Sequence, residues 1–220
     1  MPLGPEVPQY RNELTNMNLD RRISQEIQES IQTKEALASQ TCGRIAEAAS
    51  LILSRIRAGN KLILFGNGGS ASDAQHIAAE FVGRYRAERR ALPAIALTAN
   101  SSTVTAIGND YGFDDLFARQ IPAFARPGDV AIAISTSGNS ANVVRGVEAA
   151  KRLGVLTVAL TGASGGKLRE LADICLSVPS ESAPRIQEAH ILIGHILSGI
   201  VEDSILSEND AVLIGKEASV

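Results

Sequence analysis

The stretch Leu62-Ile63-Leu64-Phe65-Gly66-Asn67-Gly68-Gly69-Ser70 decides the fold of this chain. A short apolar run meets a glycine-rich turn, and the turn opens a helical segment that carries His76 and Glu80. A strand that ends at glycines and starts a helix leaves backbone N–H groups at the positive helix end, where an anion can bind. His76 and Glu80 are four residues apart, so they project from nearly the same helix face. The stretch therefore predicts a phosphate site close to reactive side chains.

Apolar runs like the first recur along the chain, and helical segments separate them. Runs without polar alternation are typical of strands that are buried on both faces of a parallel sheet. The alternation predicts an α/β fold with a doubly wound, five-stranded parallel sheet flanked by helices. The predicted strands are 61–65, 94–98, 129–134, 155–160 and 173–178, and the predicted helices between them are about 70–85, 114–124, 139–153 and 165–172.

The two ends of the chain have different patterns from its middle. Apolar periodicity predicts two N-terminal helices, at about 19–38 and 41–58, and a long C-terminal helix at about 184–206. The C-terminal helix is apolar on more than one side, so we expect it to pack on another subunit as well as on its own sheet. The expected domain is 19–206, with a disordered extension at 1–18 and a flexible tail at 207–220.

Composition excludes several classes of partner. The net charge of −3 and the lack of a basic block argue against nucleic acid, and three Tyr, five Phe and no Trp leave little for base stacking. No apolar run is expected to reach transmembrane length, and the N-terminus lacks the layout of a signal peptide. Cys42 and Cys175 match no metal or redox spacing, so we expect two reduced core residues in a cytoplasmic protein without a membrane partner.

The glycine turn has alternative interpretations. Gly66–Ala71 formally matches the dinucleotide fingerprint G-x-G-x-x-A. The next strand, however, does not end in the acidic residue that holds a ribose, and the Lys-Ser/Thr pair of a nucleotide-binding P-loop is missing. A tight strand-to-helix turn without a ligand stays open as the simplest alternative.

A second turn has the same position relative to its strand and helix. Ser135-Thr136-Ser137-Gly138-Asn139-Ser140 follows one predicted strand and precedes a predicted helix. Ser140 alone would be an ordinary N-cap, but four hydroxyls in six residues exceed what capping needs. Hydroxyls beside free helix N–H groups can donate to a phosphate dianion. Ligands bind at the carboxyl ends of strands in this architecture, so the two turns predict one phosphate cup.

These motifs resemble the paired motifs of the SIS (sugar isomerase) domain, and more closely those of the phosphoheptose isomerases. The resemblance runs from about Leu19 to Glu202 and implies a single SIS domain with a flavodoxin-like sheet. It is carried by Gly-Asn-Gly-Gly-Ser (66–70), Ala-Gln-His-Ile-Ala-Ala-Glu-Phe (74–81), Gly-Asn-Asp-Tyr-Gly-Phe (108–113), Ser-Thr-Ser-Gly-Asn-Ser (135–140) and Arg-Ile-Gln-Glu-Ala-His (185–190).

The resemblance implies a function and a set of site residues. Phosphoheptose isomerases interconvert sedoheptulose 7-phosphate and D-glycero-D-manno-heptose 7-phosphate, and they are cytoplasmic homotetramers with active sites near subunit interfaces. By resemblance, Glu80 and His195 would be the catalytic residues, and zinc would be held by His76, Glu80, Gln187 and His195. The implied substrate contacts are Asn67, Gly68, Gly69, Ser70, Glu80, Arg84, Asn109, Asp110, Ser135, Thr136, Ser137, Ser140 and Gln187.

The chemistry of an aldose–ketose isomerisation supports these residue types. Moving a carbonyl between C1 and C2 takes a proton from one carbon and returns it to the other through an enediol. A carboxylate such as Glu80 can carry that proton, and an imidazole such as His195 can protonate and deprotonate the oxygens. A zinc ion could polarise the carbonyl and hold the enediolate oxygens.

Spacing leaves the metal ligands open. His76 could instead be a core histidine, and His190 and His195 are five residues apart, so they cannot share one helix face. One of that pair is therefore expected to be structural, and only the resemblance selects His195. Gln187 lies eight residues before His195, about 12 Å along an ideal helix. Both could bind one ion only if it lay between them at full reach, or if a neighbouring subunit supplied one.

The remaining candidates also have simple alternatives. Arg84 could be a solvated charge or part of an interface ion pair, and Asn109–Asp110 could form an Asx turn. We expect Arg86, Arg89 and Arg90 to form a run of charges on the surface.

Two other functions are possible for a SIS domain. One closely similar group is non-catalytic and associates with the bacterial replication initiator protein, but it has lost the acid–base pair. Glu80 and His195 are both present here, which favours the enzyme. A sugar-phosphate sensor would normally be fused to a DNA-binding segment, and neither the proline-spaced N-terminus nor the short tail is expected to be one.

Overall fold

The computed structural model describes residues 19–217, with side chains for 19–207. The expected extension at 1–18 lies outside the described residues. The helices are α1 (Leu19–Arg57), α2 (Gly69–Val82), α3 (Ser101–Asp110), α4 (Leu116–Phe124), α5 (Ala141–Arg152), α6 (Leu168–Leu171) and α7 (Ala183–Glu217), with a 3-10 turn at Phe113–Asp115. The strands are β1 (Leu62–Gly66), β2 (Ala94–Ala96), β3 (Val130–Ile134), β4 (Leu156–Thr161) and β5 (Ile174–Ser177).

The five strands form one parallel sheet in the order β2-β1-β3-β4-β5. The chain leaves β1 towards β2 on one side and returns to β3 on the other, so the direction of winding reverses between β1 and β3. Gly66 at the end of β1 pairs with Ile134 at the end of β3. Ligands bind at such a reversal in open α/β sheets, so both predicted turns begin where a ligand is expected.

Helices cover both faces of the sheet. Successive strand residues point to opposite faces, so Leu62 and Leu64 lie in a different core from Ile63 and Phe65. The first core contains side chains from α1, α2 and α7, and the second contains side chains from α3 to α6. The predicted doubly wound, five-stranded α/β fold is thereby confirmed.

The N-terminal region is one helix rather than the two predicted. The polar segment around Gln40 interrupts the apolar periodicity, but α1 continues through it from Leu19 to Arg57. Thr41 and Ile45 are buried on the same side as Ile52, so packing on the sheet extends the helix across the weak stretch.

Helix α3 was not expected from the sequence. Within its ten residues only Ile107 is buried, so its apolar periodicity is weak. The signal that could have found it is Asn100, whose side chain accepts a hydrogen bond from the backbone N–H of Thr103 and caps the helix.

The last helix, α7, is longer than predicted. Its backbone is helical to Glu217, past the expected end at 206, and the flexibility of 207–220 stays a prediction. Contrary to expectation, Ala183–Ser207 is long and apolar enough to cross a membrane by length and composition, although half of its most apolar window is buried inside the fold. Ile193 and Val201 lie in the first core.

The prediction that Cys42 is a core residue was wrong, because Cys42 is exposed.

Candidate active site

The glycine turn leaves the start of α2 without a side-chain cap. Gly68 occupies the N-cap position with φ of 54°, a conformation that favours glycine. A Cβ on Gly66 would lie 2.7 Å from the carbonyl oxygen of Ile134, so only glycine fits between the two strand ends. Ser70, in the first turn of α2, is 4% exposed. The predicted substrate contacts Gly68, Gly69 and Ser70 therefore lie at one helix N-terminus, where the N–H groups of Ser70 and Ala71 donate to the turn's own carbonyls.

The serine turn is also uncapped, for a different reason. Ser140 is the N-cap residue of α5, but its side chain does not cap the helix. Its Oγ lies 3.1 Å from Oγ of Ser135 instead. Oγ of Ser137 accepts a hydrogen bond from the backbone N–H of Asn139, and Thr136 is half-buried between these serines. The first N–H groups of α5 thus stay available to an anion.

A pair of asparagine side chains joins the two turns. Nδ2 of Asn67 donates to Oδ1 of Asn142 at 2.8 Å, and Nδ2 of Asn142 donates back to Oδ1 of Asn67 at 2.9 Å. Asn142, in the first turn of α5, is 2% exposed. Sequence reasoning included Asn67 but missed Asn142, although its position inside the second turn's helix was a usable signal.

His76, Glu80 and His195 converge on one point. Nε2 of His76 lies 3.0 Å from Oε1 of Glu80 and 3.3 Å from Nε2 of His195. One donor atom from each residue lies within 4.8 Å of the others. The first two come from α2, which begins at the glycine turn, and His195 comes from α7, which packs beside it. Two imidazole nitrogens and a carboxylate oxygen facing each other can hold a divalent metal ion.

The third histidine, His190, is not part of this cluster. His190 is fully buried, and its Nε2 lies 3.2 Å from the carbonyl oxygen of Thr161. Burial lowers the pKa of His190 to about 4, against the opposing effect of that carbonyl. Of the two histidines that the spacing argument separates, His195 lies in the cluster with His76 and Glu80, and its role in the site stays a prediction.

Gln187 lies at the glycine turn. A Cβ on Gly69 would be 2.6 Å from Nε2 of Gln187, so its amide covers the first residue of α2. The structure therefore brings Gln187 to the glycine turn, at the expected phosphate cup. His76, Glu80 and His195 form a triad on α2 and α7. The role of Gln187 as a metal ligand stays a prediction.

The other predicted substrate contacts, Arg84, Asn109 and Asp110, are exposed. Arg84 follows the end of α2. Nδ2 of Asn109 donates to Oδ1 of Asp110 at 2.7 Å at the C-terminal end of α3. Their contact with a substrate stays a prediction.

The arginine run after α2 differs from the expectation. The side chain of Arg89 is 1% exposed, and its Nε lies 3.3 Å from Oε2 of Glu202, which is equally buried. Arg89 is thus a core residue rather than a surface charge. Sequence reasoning missed it together with Glu202 and Tyr85, whose ring stacks on His195 with centroids 5.4 Å apart.

Another carboxylate lies close to the triad. Asp73 is half-buried one turn before His76, and its Oδ2 is buried without a hydrogen-bond partner among the described residues. Burial raises the pKa of the Asp73 carboxyl, and the nearby His76 partly offsets the rise. A cation bound by His76 would therefore also favour the ionised form of Asp73.

The chain is similar in sequence to known proteins. The SIS domain family matches residues 26–162. The phosphoheptose isomerase of Rhodospirillum rubrum is 58% identical over 163 residues, which are 74% of this chain and 87% of the relative. That of Aquifex aeolicus is 50% identical over 184 residues, 84% of this chain and 96% of the relative. This chain belongs to the phosphoheptose isomerases.

A solved structure from the same family agrees with the fold. The phosphoheptose isomerase of Neisseria gonorrhoeae has 42% sequence identity and a TM-score of 0.80, and the match covers 84% of this chain and all of that one. The chain is therefore an isomerase with a single SIS domain, and a phosphoheptose isomerase acts on a small sugar phosphate. The family resemblance inferred from the motifs is confirmed.

Proposed function

We propose that this phosphoheptose isomerase converts sedoheptulose 7-phosphate to D-glycero-D-manno-heptose 7-phosphate through an enediol. The observation that carries the proposal is the convergence of Glu80 and His195 from two different helices, of which the first begins at the glycine turn. A non-catalytic binding module has no need for a carboxylate and an imidazole at its phosphate cup. The arrangement instead suits a molecule with a phosphate at one end and a reacting carbonyl at the other.

The phosphate is proposed to bind between the two turns. The first N–H groups of α5, the N–H of Gly69 and the hydroxyls of the serine turn would donate to its oxygens. The asparagine pair of Asn67 and Asn142 would keep the turns at a fixed separation. Such fixed donors hold the sugar so that its open-chain end reaches the same groups in every encounter. The proposed contacts are Asn67, Gly68, Gly69, Ser70, Ser135, Thr136, Ser137, Ser140 and Gln187, with Arg84, Asn109 and Asp110 as further candidates.

Glu80 is proposed to carry the proton between the two carbons. The carboxylate removes a proton from C1 of the ketose, while the oxygen on C2 gains one, which gives the enediol. Loss of the proton from the oxygen on C1 and return of the first proton to C2 give the aldose. His195 is suited to exchange the protons on the oxygens. Nε2 of His195 lies 3.3 Å from Nε2 of His76, which brings its imidazole to the same point as the Glu80 carboxylate.

Zinc is the proposed cofactor, with one ion per subunit. Two nitrogens bound to tetrahedral zinc at about 2.0–2.1 Å lie about 3.3–3.4 Å apart, which fits the 3.3 Å between Nε2 of His76 and Nε2 of His195. Glu80 would be the third ligand. Gln187 stays a candidate for the fourth position, although its place over Gly69 favours contact with the substrate. When bound, zinc would polarise the carbonyl and stabilise negative charge on the enediol oxygens.

The enzyme is proposed to be a cytoplasmic homotetramer without a membrane or nucleic-acid partner. An exposed apolar stripe on α1 supports assembly, because Leu19, Ile23, Ile27 and Ile31 are 42% to 57% exposed and recur every four residues. Light scattering should give four times the 23.2 kDa of one chain. A monomer under assay conditions would contradict the proposal.

The test combines an assay with metal analysis. The purified full chain should convert sedoheptulose 7-phosphate, contain about one zinc per chain, lose activity on chelation and regain it with zinc. Sedoheptulose without the phosphate is the matched control and should be a far poorer substrate. If the protein contained no metal and showed no turnover, the proposal would be overturned and a binding module would be favoured.

A further inference from the structure

The segment between α2 and β2 brings an aromatic ring to the triad. Tyr85 lies three residues past the end of α2, and its ring stacks on the His195 imidazole, with centroids 5.4 Å apart and an angle of 27° between the planes. His195 also contacts the ring of His76, with centroids 5.0 Å apart and an angle of 68° between the planes. The imidazole of His195 therefore contacts the rings of both Tyr85 and His76.

Glu202 fixes the backbone that carries Tyr85. Its carboxylate accepts hydrogen bonds from the backbone N–H groups of Tyr85, Arg86 and Ala87, at 2.9, 2.7 and 2.9 Å. The carboxylate is 1% exposed. Burial alone would raise the pKa of Glu202, but these three donors and Arg89 outweigh it, so the pKa lies below its usual value. Glu202 is thus an ionised anchor at neutral pH.

Arg89 ties the same segment to the end of α2. Its guanidinium donates to the backbone carbonyls of Glu80, Phe81 and Gly83 at 2.6, 2.8 and 3.0 Å, and to its own neighbour Arg90 at 3.0 Å. These carbonyls belong to the last turn of α2 and the residues after it, which lack partners within the helix. The buried pair of Arg89 and Glu202 therefore connects the backbone of Glu80 to α7, two turns after His195.

A glycine on α7 makes room for the ring. Gly199 lies one turn after His195, and a Cβ there would be 3.2 Å from Cε1 of Tyr85. The guanidinium of Arg86 lies 4.8 Å from the centroid of the Tyr85 ring and donates to its hydroxyl at 3.2 Å. Contacts with α7 and with Arg86 thus restrict the Tyr85 ring that stacks on His195.

We propose that Tyr85, anchored by the buried pair of Arg89 and Glu202, is a positioning residue that holds the His195 imidazole with its Nε2 towards His76. This inference rests on the proposed function of the triad. Stacking restricts rotation of the His195 ring, so the two histidine nitrogens meet without a further loss of side-chain freedom when an ion binds. The groups around a metal ligand commonly change metal affinity or activity by about 10- to 100-fold.

The test compares Tyr85→Leu with Tyr85→Phe. Cobalt is the probe, because its visible spectrum reports the geometry of its ligands. Tyr85→Leu should bind cobalt about tenfold more weakly with an altered spectrum, whereas Tyr85→Phe keeps the stack and should stay within about twofold of the parent protein. Gly199→Ala, which crowds the ring, should weaken binding in the same direction by less.

Tyr111 supplies the matched control for the cobalt measurement. It carries the guanidinium of Arg119 at 4.5 Å from its ring, with a 3.2 Å bond to its hydroxyl, but it stacks on no histidine in the described part of the chain. Tyr111→Leu should therefore leave cobalt affinity and spectrum unchanged. Parent-like cobalt binding by Tyr85→Leu would overturn the inference, as would an equal loss in Tyr85→Phe.

A metal-free measurement separates this inference from the proposed function. The chain has three histidines, so NMR of labelled histidine can resolve the ring protons of each one. A cross-peak between the His76 and His195 rings is expected in the parent and should weaken in Tyr85→Leu, with His190 as internal reference. An unchanged cross-peak overturns the positioning role even if the enzyme is active. A lost cross-peak supports it even if sedoheptulose 7-phosphate is not the substrate.

Discussion

Nε2 of His76 and Nε2 of His195 lie 3.3 Å apart, although 119 residues separate them in the chain. The contact depends on the packing of α7 against α2 on one face of the sheet. Gly194 permits this close packing, because a Cβ there would lie 2.5 Å from the side chain of Ile77. Neighbours of both histidines thus set the distance between the two rings.

Metal content should depend on His76 but not on His190. We expect His76→Gln to lower zinc affinity by more than about 100-fold, because a direct ligand contributes more than the surrounding groups that change affinity 10- to 100-fold. Metal analysis after dialysis against a weak chelator measures the effect. The control is His190→Gln, because His190 is buried outside the triad, and this variant should keep the zinc content of the parent. Equal zinc content in the two variants would refute the assignment.

The asparagine pair should behave as a coupled unit. Asn142→Ala leaves the amide of Asn67 without its partner at a half-buried site, which costs about 1–3 kcal/mol of unfolding free energy. We also expect a higher KM for the sugar phosphate, since the two turns are no longer fixed. Once one asparagine is gone, removing the other should cost much less, and a double-mutant cycle on denaturant unfolding measures this coupling. Fully additive effects would show that the pair contributes nothing as a pair.

Two glycine-to-alanine changes should have opposite effects on stability. Gly138 has φ of 65°, and a Cβ there would collide with the carbonyl oxygen of Gly165. We expect Gly138→Ala to destabilise the fold by at least about 2 kcal/mol. Gly43 lies inside α1 with nothing within 4 Å of a Cβ, so Gly43→Ala should stabilise the fold by about 0.5–1 kcal/mol. Thermal unfolding of both variants at one protein concentration checks the signs.

Stability should fall in mild acid because of His190. Burial lowers the pKa of His190 from 6.5 to about 4 in the folded protein, so the unfolded chain binds a proton at higher pH. The contribution of His190 is fully present above pH 6.5 and is lost as the pH falls towards 4, by ~3 kcal/mol in total. Denaturant unfolding between pH 7 and 4.5 should show a shallower decline for His190→Gln. The same slope in both proteins would contradict this assignment.

Much of the fold was predictable because its signals are local. Apolar runs such as Leu62–Phe65 and the glycines after them specify buried strands and tight turns without knowledge of the rest of the chain. The sequence predicted two helices where α1 is one, because local propensity is weak around Thr41. Burial of residues such as Thr41 on the sheet overrides that weakness. Helix α3 was missed because it buries little and depends on the cap at Asn100.

The site was predictable where its residues share a turn or a helix. The spacing of His76 and Glu80 indicates one face, but no local pattern reveals which later residue completes the cluster. His195 was chosen over His190 by resemblance, and only the packing of α7 explains the choice. Tyr85 and Arg89 were missed because their partners, His195 and Glu202, are more than a hundred residues away.

Turnover of sedoheptulose 7-phosphate by Glu80→Gln tests the central claim most directly. The amide has nearly the same shape as the carboxylate but cannot accept the proton from carbon, so we expect the rate to fall at least about 10³-fold. Light scattering should show the same assembly as the parent, and the assay should be run with saturating zinc, so that loss of a metal ligand is not mistaken for loss of the base. If Glu80→Gln turned over at the parent rate, Glu80 would not be the proton carrier.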